Sequence, residues 1–486
     1  MLTPEDRNVS VWLPKWSRVD LLFAAVATAF GLVSLDYPFG RDQGLFYYAA
    51  REWLLRGQVL YRDVWDHKPP VIYFVHMLSI ALFGERLWGI RVLELLVAVP
   101  ILGWMTARLV SPRGERCPSG TVGAAWLGVA VMYYGYAGFW ETAQCEIWAT
   151  LFAIAATTVA WHARRERRGY AIAGVLSALA LFTKPPMAFF VALTLLAIIV
   201  RAGRRTQGRL FSIVRGVAAF GAGGLALGGA LLGYFAARRA LVPMLDILVG
   251  ANAVYVQEER GFNGAWEFFG YSLAELVGVQ PYSGALFMAA GVATFLGIVW
   301  QQRELALRYW TPVALVAASY GTMAVQLKFY AYHWVPIVSA FGVLATLLYT
   351  DMTRVARSHP RRWLVPAAFL MLFPGMYAAS GLSFVRWVYV VTETIRYETG
   401  SIDREAFTRT FDVPGMYAYH DSEQAGLWLR KHASPNDTIV VRGFEPQIYA
   451  ISGRHFTGRF FWTTFLTAPK REYRREQLLA EDVAAL

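Results

Sequence analysis

Two short stretches place a lysine ahead of two prolines and an apolar, aromatic run: HKPPVIYF from His67 to Phe74, and TKPPMAFF from Thr183 to Phe190. Proline is tolerated in the first turn of a helix, where its missing N–H would be unpaired in any case. The remaining free amides and the helix dipole make such a terminus attractive to anions. A lysine in front adds a point charge suited to phosphate. Lys68 and Lys184 are therefore candidate phosphate ligands, against the plainer reading of lysines that snorkel to a membrane interface.

Carboxylates crowd the segment before Lys68, which holds Asp36, Asp42, Asp63 and Asp66. From Gln43 to Leu55 apolar and aromatic residues recur at helical spacing, which puts Asp42 at an amino-terminal cap. An isolated aspartate there is usually no more than a cap. Four of them beside a membrane surface favour a functional site. In YYGYAGFWETAQCEIW, Glu141 and Glu146 can hold a divalent cation or orient a substrate hydroxyl, or simply sit near interfacial water. In QLKFYAYHWVPI an aromatic belt accounts for the rings. It does not account for Lys328 and His333 together.

The elements that position these residues follow from composition. The chain has 486 residues, 56% of them hydrophobic and 16% charged, the balance of a polytopic membrane protein. A net charge of +12 could suggest nucleic acid. The arginines instead form short clusters between apolar runs, the pattern of retention on the cytoplasmic side, so no nucleic-acid partner is expected. Cys117 and Cys145 are too few for a disulfide framework and too far apart for a zinc pair.

Spans need about 20 apolar residues. Eleven candidates run over 20–35, 86–108, 121–139, 146–162, 170–183, 187–201, 211–235, 283–300, 309–327, 334–351 and 363–381. Basic connections at 108–116, 164–168, 201–209, 301–308 and 354–362 join Lys15 and Arg18 on the cytoplasmic side. Residues 1–19 then form a cytoplasmic amino terminus, a retained first span follows, and 36–85 is a long outer loop. For this parity to hold, Val71 to Phe83 cannot cross, and its length suits a juxtamembrane helix. Asp42, Asp63, Asp66, Lys68, Glu141, Glu146, Lys184, Lys328 and His333 all fall on the non-cytoplasmic side. After 381 the apolar periodicity stops: HDSEQAGLWLRKH reads as an amphipathic helix, DTIVVRG as a strand, EPQIYAISGR as a turn and helix. Residues 382–486 are expected to form a small extracytoplasmic α/β domain. It ends on LLAEDVAAL with no visible stop, which leaves its completeness open.

RDQGLFYYAA, LLRGQVLYRDVWDHKPPVIYF, LALFTKPP and KFYAYHWVP, in that order over about residues 20–350, resemble the GT-C class of membrane glycosyltransferases. The branch is that of bacterial aminoarabinose transferases and protein O-mannosyltransferases. The run of motifs is specific where each alone is weak. The resemblance implies a GT-C transmembrane domain over 20–381 in a bacterial inner membrane, with its active site facing the periplasm or exterior. It implies inverting transfer of a sugar from a polyprenyl-phosphate donor to an envelope acceptor. Carried over, Asp42 is the catalytic aspartate, with Lys68, Lys184, Lys328 and His333 toward the donor phosphate. Asp63, Asp66, Glu141 and Glu146 are expected at sugar hydroxyls or a divalent cation, and Arg454 and Arg459 either on the acceptor side or as surface charges. Gln43 departs from the family's usual glutamate, which weakens an acidic pair as a metal site.

Two other functions fit parts of the pattern. A transporter shares the spans and basic loops, yet it places ionisable groups near the bilayer midplane, where Glu94 is the main example here. A non-catalytic envelope-assembly protein gains some room from Gln43.

Overall fold

The computed structural model describes residues 14–204, 208–257, 266–271, 308–356, 360–378, 382–415, 417–467 and 473–485, and among them no β-strand forms. The expected span 283–300 lies outside the described residues; the other expected spans fall on helices. Among the described residues five helical stretches, Arg18–Asp36, Gly89–Val110, Pro185–Gly203, Arg209–Ala237 and Ala331–Arg354, are long and apolar enough to cross a bilayer, against the eleven crossings expected. Of the rest, Trp310–Ala324 is only 15 residues long, and Glu166–Thr183 opens on a charged first turn.

The bundle has two chemically distinct ends. Asp20, in the first turn of Arg18–Leu32, accepts the amides of Gly120 at 3.0 Å and Gly123 at 2.9 Å, so this helix and Thr121–Tyr136 start at the same end. Arg108 meets the His162 ring at 3.1 Å, and Arg201 donates to the carbonyls of Trp161 and Ala163. The connections around 108–120 and 162–168 and the end of the Ala188–Gly203 helix thus share this arginine-rich end. The turn 138–144, Lys184 and Lys328 lie at the other.

The first long loop folds into two helices. Arg41–Arg56 ends at Gly57, whose φ of +69° supplies the left-handed cap. Val71–Phe83 forms as expected, started by Pro69 and Pro70. Its 13 residues span about 20 Å, short of the ~30 Å hydrocarbon core.

The tail differs from the expected appendage. The Tyr419–His432 and Gln447–Ser452 helices form where the pattern places them, but the expected strand makes only an isolated bridge, Thr438 to His455. The Ile439 amide donates to the His455 carbonyl at 2.9 Å, and among the described residues the pairing does not extend into a ladder. The tail instead packs on the first loop: a Cβ on Gly44 would fall 2.4 Å from the Gln447 backbone, the Phe456 amide donates to Tyr48 Oη at 2.9 Å, and Trp65 stacks on Phe465 at 3.6 Å. Tyr48, Tyr449 and Phe461 share one hydrophobic core with the bundle. The loop needs this cover, because its helices carry aromatic rings on more than one face.

Candidate active site

Asp42 occupies the first turn of Arg41–Arg56 and does not cap it; the cap is Gly40. Its carboxylate instead accepts a hydrogen bond from Gln144 Nε2 at 3.0 Å. Gln144 follows Ala143, a non-glycine residue at φ +57° in the turn after Phe139. Such a conformation persists only where surrounding contacts hold it. Gln43 supplies some of them: fully buried, its amide donates to the carbonyls of Phe139 (3.0 Å), Trp140 (3.1 Å) and Thr142 (2.6 Å). An ionised glutamate could make none of these bonds, since it has no proton to give. Arg91, buried, braces the same turn through Thr142 and the carbonyl of Pro38 at 2.8 Å.

Asp42, Lys68 and Glu141 line one cavity of about 440 Å³. Its walls are aromatic, with Trp140, Tyr255, Tyr330 and Tyr332 from the bundle side and Phe444 and Trp462 from the tail. Burial alone would lower the Lys68 ammonium. Cys145 and the carboxylates of Asp42, Glu146 and Asp66 outweigh it and hold Lys68 above its ordinary value. Burial pushes the Glu141 carboxyl up, against the pull of Arg386 and the Gly138 amide. A second cavity, of about 320 Å³, shares Phe139, Arg386 and Val413 with the first.

The other expected phosphate ligands stand behind the rings. Lys184, in extended backbone before Pro185, is buried in an ion pair with Glu146, its Nζ 5.4 Å from the Tyr332 ring. Lys328 sits 3.9 Å over Tyr255, between two left-handed residues, Leu327 at φ +56° and Phe329 at φ +52°. His333 is buried beside the rings of Tyr330 and Tyr332.

Several expected contacts are engaged within the protein. Asp63 pairs with Arg62 and accepts the Val59 amide at 2.7 Å, closing a turn. Asp66 is fully buried, accepting from Tyr73 and from the His67 amide at 2.7 Å. Arg454 satisfies the last carbonyls around the Tyr419–His432 helix, those of Arg430 and Ala433. Arg459 donates to the Tyr61 carbonyl at 2.8 Å and pairs with Glu481. Neither arginine lines the cavity. Among the described residues no three His, Cys, Asp or Glu side chains assemble a metal site.

Residues 67–249 match the family model of the dolichyl-phosphate-mannose-protein mannosyltransferases, less than half of the chain. No curated protein matches. Two crystal structures of ArnT from Cupriavidus metallidurans are similar to it over 90% of this chain and 84% of theirs. The apo form is 15% identical with a TM-score of 0.50, and the form bound to undecaprenyl phosphate is 14% identical with a TM-score of 0.53. The chain has the GT-C fold. The family match takes in Lys68, Glu141, Glu146 and Lys184, while Asp42, Lys328 and His333 lie outside it. Gln144, which holds Asp42, carries no periodicity or charge signal by which sequence reading would single it out, and Gln43 stood out only as a departure from the family's glutamate, not as the brace of this turn.

Proposed function

We propose that the protein is an integral-membrane inverting glycosyltransferase, moving a sugar from a polyprenyl-phosphate donor to a hydroxyl of an envelope lipid, glycan or protein. The observation that carries this reading is the convergence of the Asp42 carboxylate and the Lys68 ammonium on one aromatic cavity. The arginine-rich end faces the cytoplasm, so the cavity faces the exterior of a bacterial inner membrane. The undecaprenyl phosphate held by ArnT supports the donor class.

Asp42 accepts the acceptor hydroxyl's proton as that oxygen bonds to the anomeric carbon. The bond from that carbon to the donor phosphate breaks, and its electron pair leaves with polyprenyl phosphate. Lys68 stabilises the charge that develops on the leaving phosphate. Lys328 adds positive potential from behind the rings, and the aromatic walls exclude water. The adjoining cavity gives the second substrate room. The test is Asp42→Asn, assayed for sugar transfer from a polyprenyl-phosphate donor in membranes. A loss of about 10²–10⁴-fold is expected for a general base; undiminished turnover removes Asp42 from that role. Solute flux in proteoliposomes without transfer would instead favour a transporter.

A further inference from the structure

The arginine end of the bundle holds a cavity of about 370 Å³ that the transfer chemistry does not use. Arg164, Arg165, Arg167 and Arg168 line it from the connection and the start of the Glu166–Thr183 helix, and Arg215 lines it from the Arg209–Ala237 helix. Glu166 is the one carboxylate in its lining, and it stands 3.8 Å from the Arg201 guanidinium. Nearby, Arg113 and Arg204 approach the Trp161 ring at 3.9 and 5.7 Å. Burial, then the charges of Arg201 and Arg204, push Arg113 below its ordinary value.

Arginines that serve only to orient the chain need to lie on one side of the bilayer. They need not converge on a cavity from two helices. Guanidinium groups gathered this way repel one another, and a phosphate accepting their forked donors relieves the repulsion. Tyr170 is a buried part of the lining, while Phe211 at the rim is exposed, as are its neighbours Leu210 and Val214. That apolar rim suits acyl chains and offers nothing to a free phosphate.

We propose that this cavity binds the phosphodiester headgroup of an anionic phospholipid, whose acyl chains lie along Leu210, Phe211 and Val214. The Glu166–Thr183 helix, 18 residues or about 27 Å long, separates it from Lys184 and the donor cavity. The bound lipid is therefore distinct from the sugar donor.

The test titrates purified protein in mild detergent with phosphatidylglycerol, phosphatidylcholine or inorganic phosphate and counts retained lipid by native mass spectrometry. Phosphatidylglycerol should be retained in preference to phosphatidylcholine, and inorganic phosphate should not displace it. The exposed pair Arg168→Gln and Arg215→Gln should weaken retention on the order of fivefold per charge, about 25-fold together. Arg168→Lys with Arg215→Lys, which keeps the charge and loses the fork, should fall between. Equal retention by the wild type and the glutamine variant, or of both lipids, overturns the proposal. Displacement by inorganic phosphate overturns the lipid as occupant. Sugar transfer is no part of the readout, so the outcome is independent of the proposed activity.

Discussion

Lys68 and Lys184 both precede a Pro-Pro pair at the start of a helix. Lys68 lines the cavity beside Asp42, whereas Lys184 lies behind the Tyr332 ring in an ion pair with Glu146. The difference comes from what the rest of the chain brings to each. A helix carrying Glu146 is packed against Lys184, while among the described residues no carboxylate makes a direct ion pair with Lys68. The expected pair of phosphate ligands becomes one lysine at the cavity and one in its wall. The same division separates Asp42, which faces the cavity, from Asp63 and Asp66, which are bound into the loop.

The sharpest way to break this contrast is Lys184→Met, which leaves Glu146 buried without its partner. It should destabilise the protein by about 3–5 kcal/mol, read as a lower Tm in detergent, and Glu146→Leu in the same chain should restore most of the loss. A single variant as stable as the wild type would mean the pair has no structural role. Lys68→Met should do the reverse. Transfer should fall about 10²–10³-fold, with a smaller Tm change than at Lys184; comparable activity would remove Lys68 from the donor phosphate.

Gln43→Glu extends the contrast to the turn that holds Asp42. A carboxylate facing three backbone carbonyls should cost about 1–3 kcal/mol, and more when ionised, with Gln43→Met, which also loses the donors, a milder loss of stability. Equal stability of the wild type and the glutamate variant would show that the amide's three bonds are dispensable. The smallest effect belongs to Asp63. Burial works to raise its carboxyl, but Arg62 and the Val59 amide hold it below the ordinary 3.8. A depressed folded value means stability that is present above pH 3.8 and lost as pH falls through the folded value. Asp63→Asn should therefore cost under about 1 kcal/mol near neutrality, since the pair is partly exposed. The gap between variant and wild type should close in acid; a gap that persists there would assign the effect to the turn's geometry.

Much of the scaffold was legible because it depends on local composition. The apolar runs, the Val71–Phe83 helix and the sorting of basic connections to one end follow from lengths and spacings within each segment. The cavity was legible only in part. Asp42 and Lys68 stood out because charge beside an apolar run is costly enough to need a reason. Gln144 did not, and Gln43 did only as a departure from a family pattern, since the bonds by which they act join residues about a hundred positions apart. Arg454 and Arg459 looked free in the sequence because the carbonyls they satisfy are invisible there. The tail's strand failed for a related cause: extended backbone becomes a ladder only when a partner edge arrives.

The sequence by itself determined a helical membrane protein with arginines at one end and the loop of Asp42 and Lys68 at the other, because hydropathy and charge act over a single span. Only the tertiary structure decided which lysine meets the cavity, that the tail supplies its aromatic cover, and that a glutamine steadies Asp42. Those outcomes depend on which helices pack together, and on which polar groups find partners once water is gone.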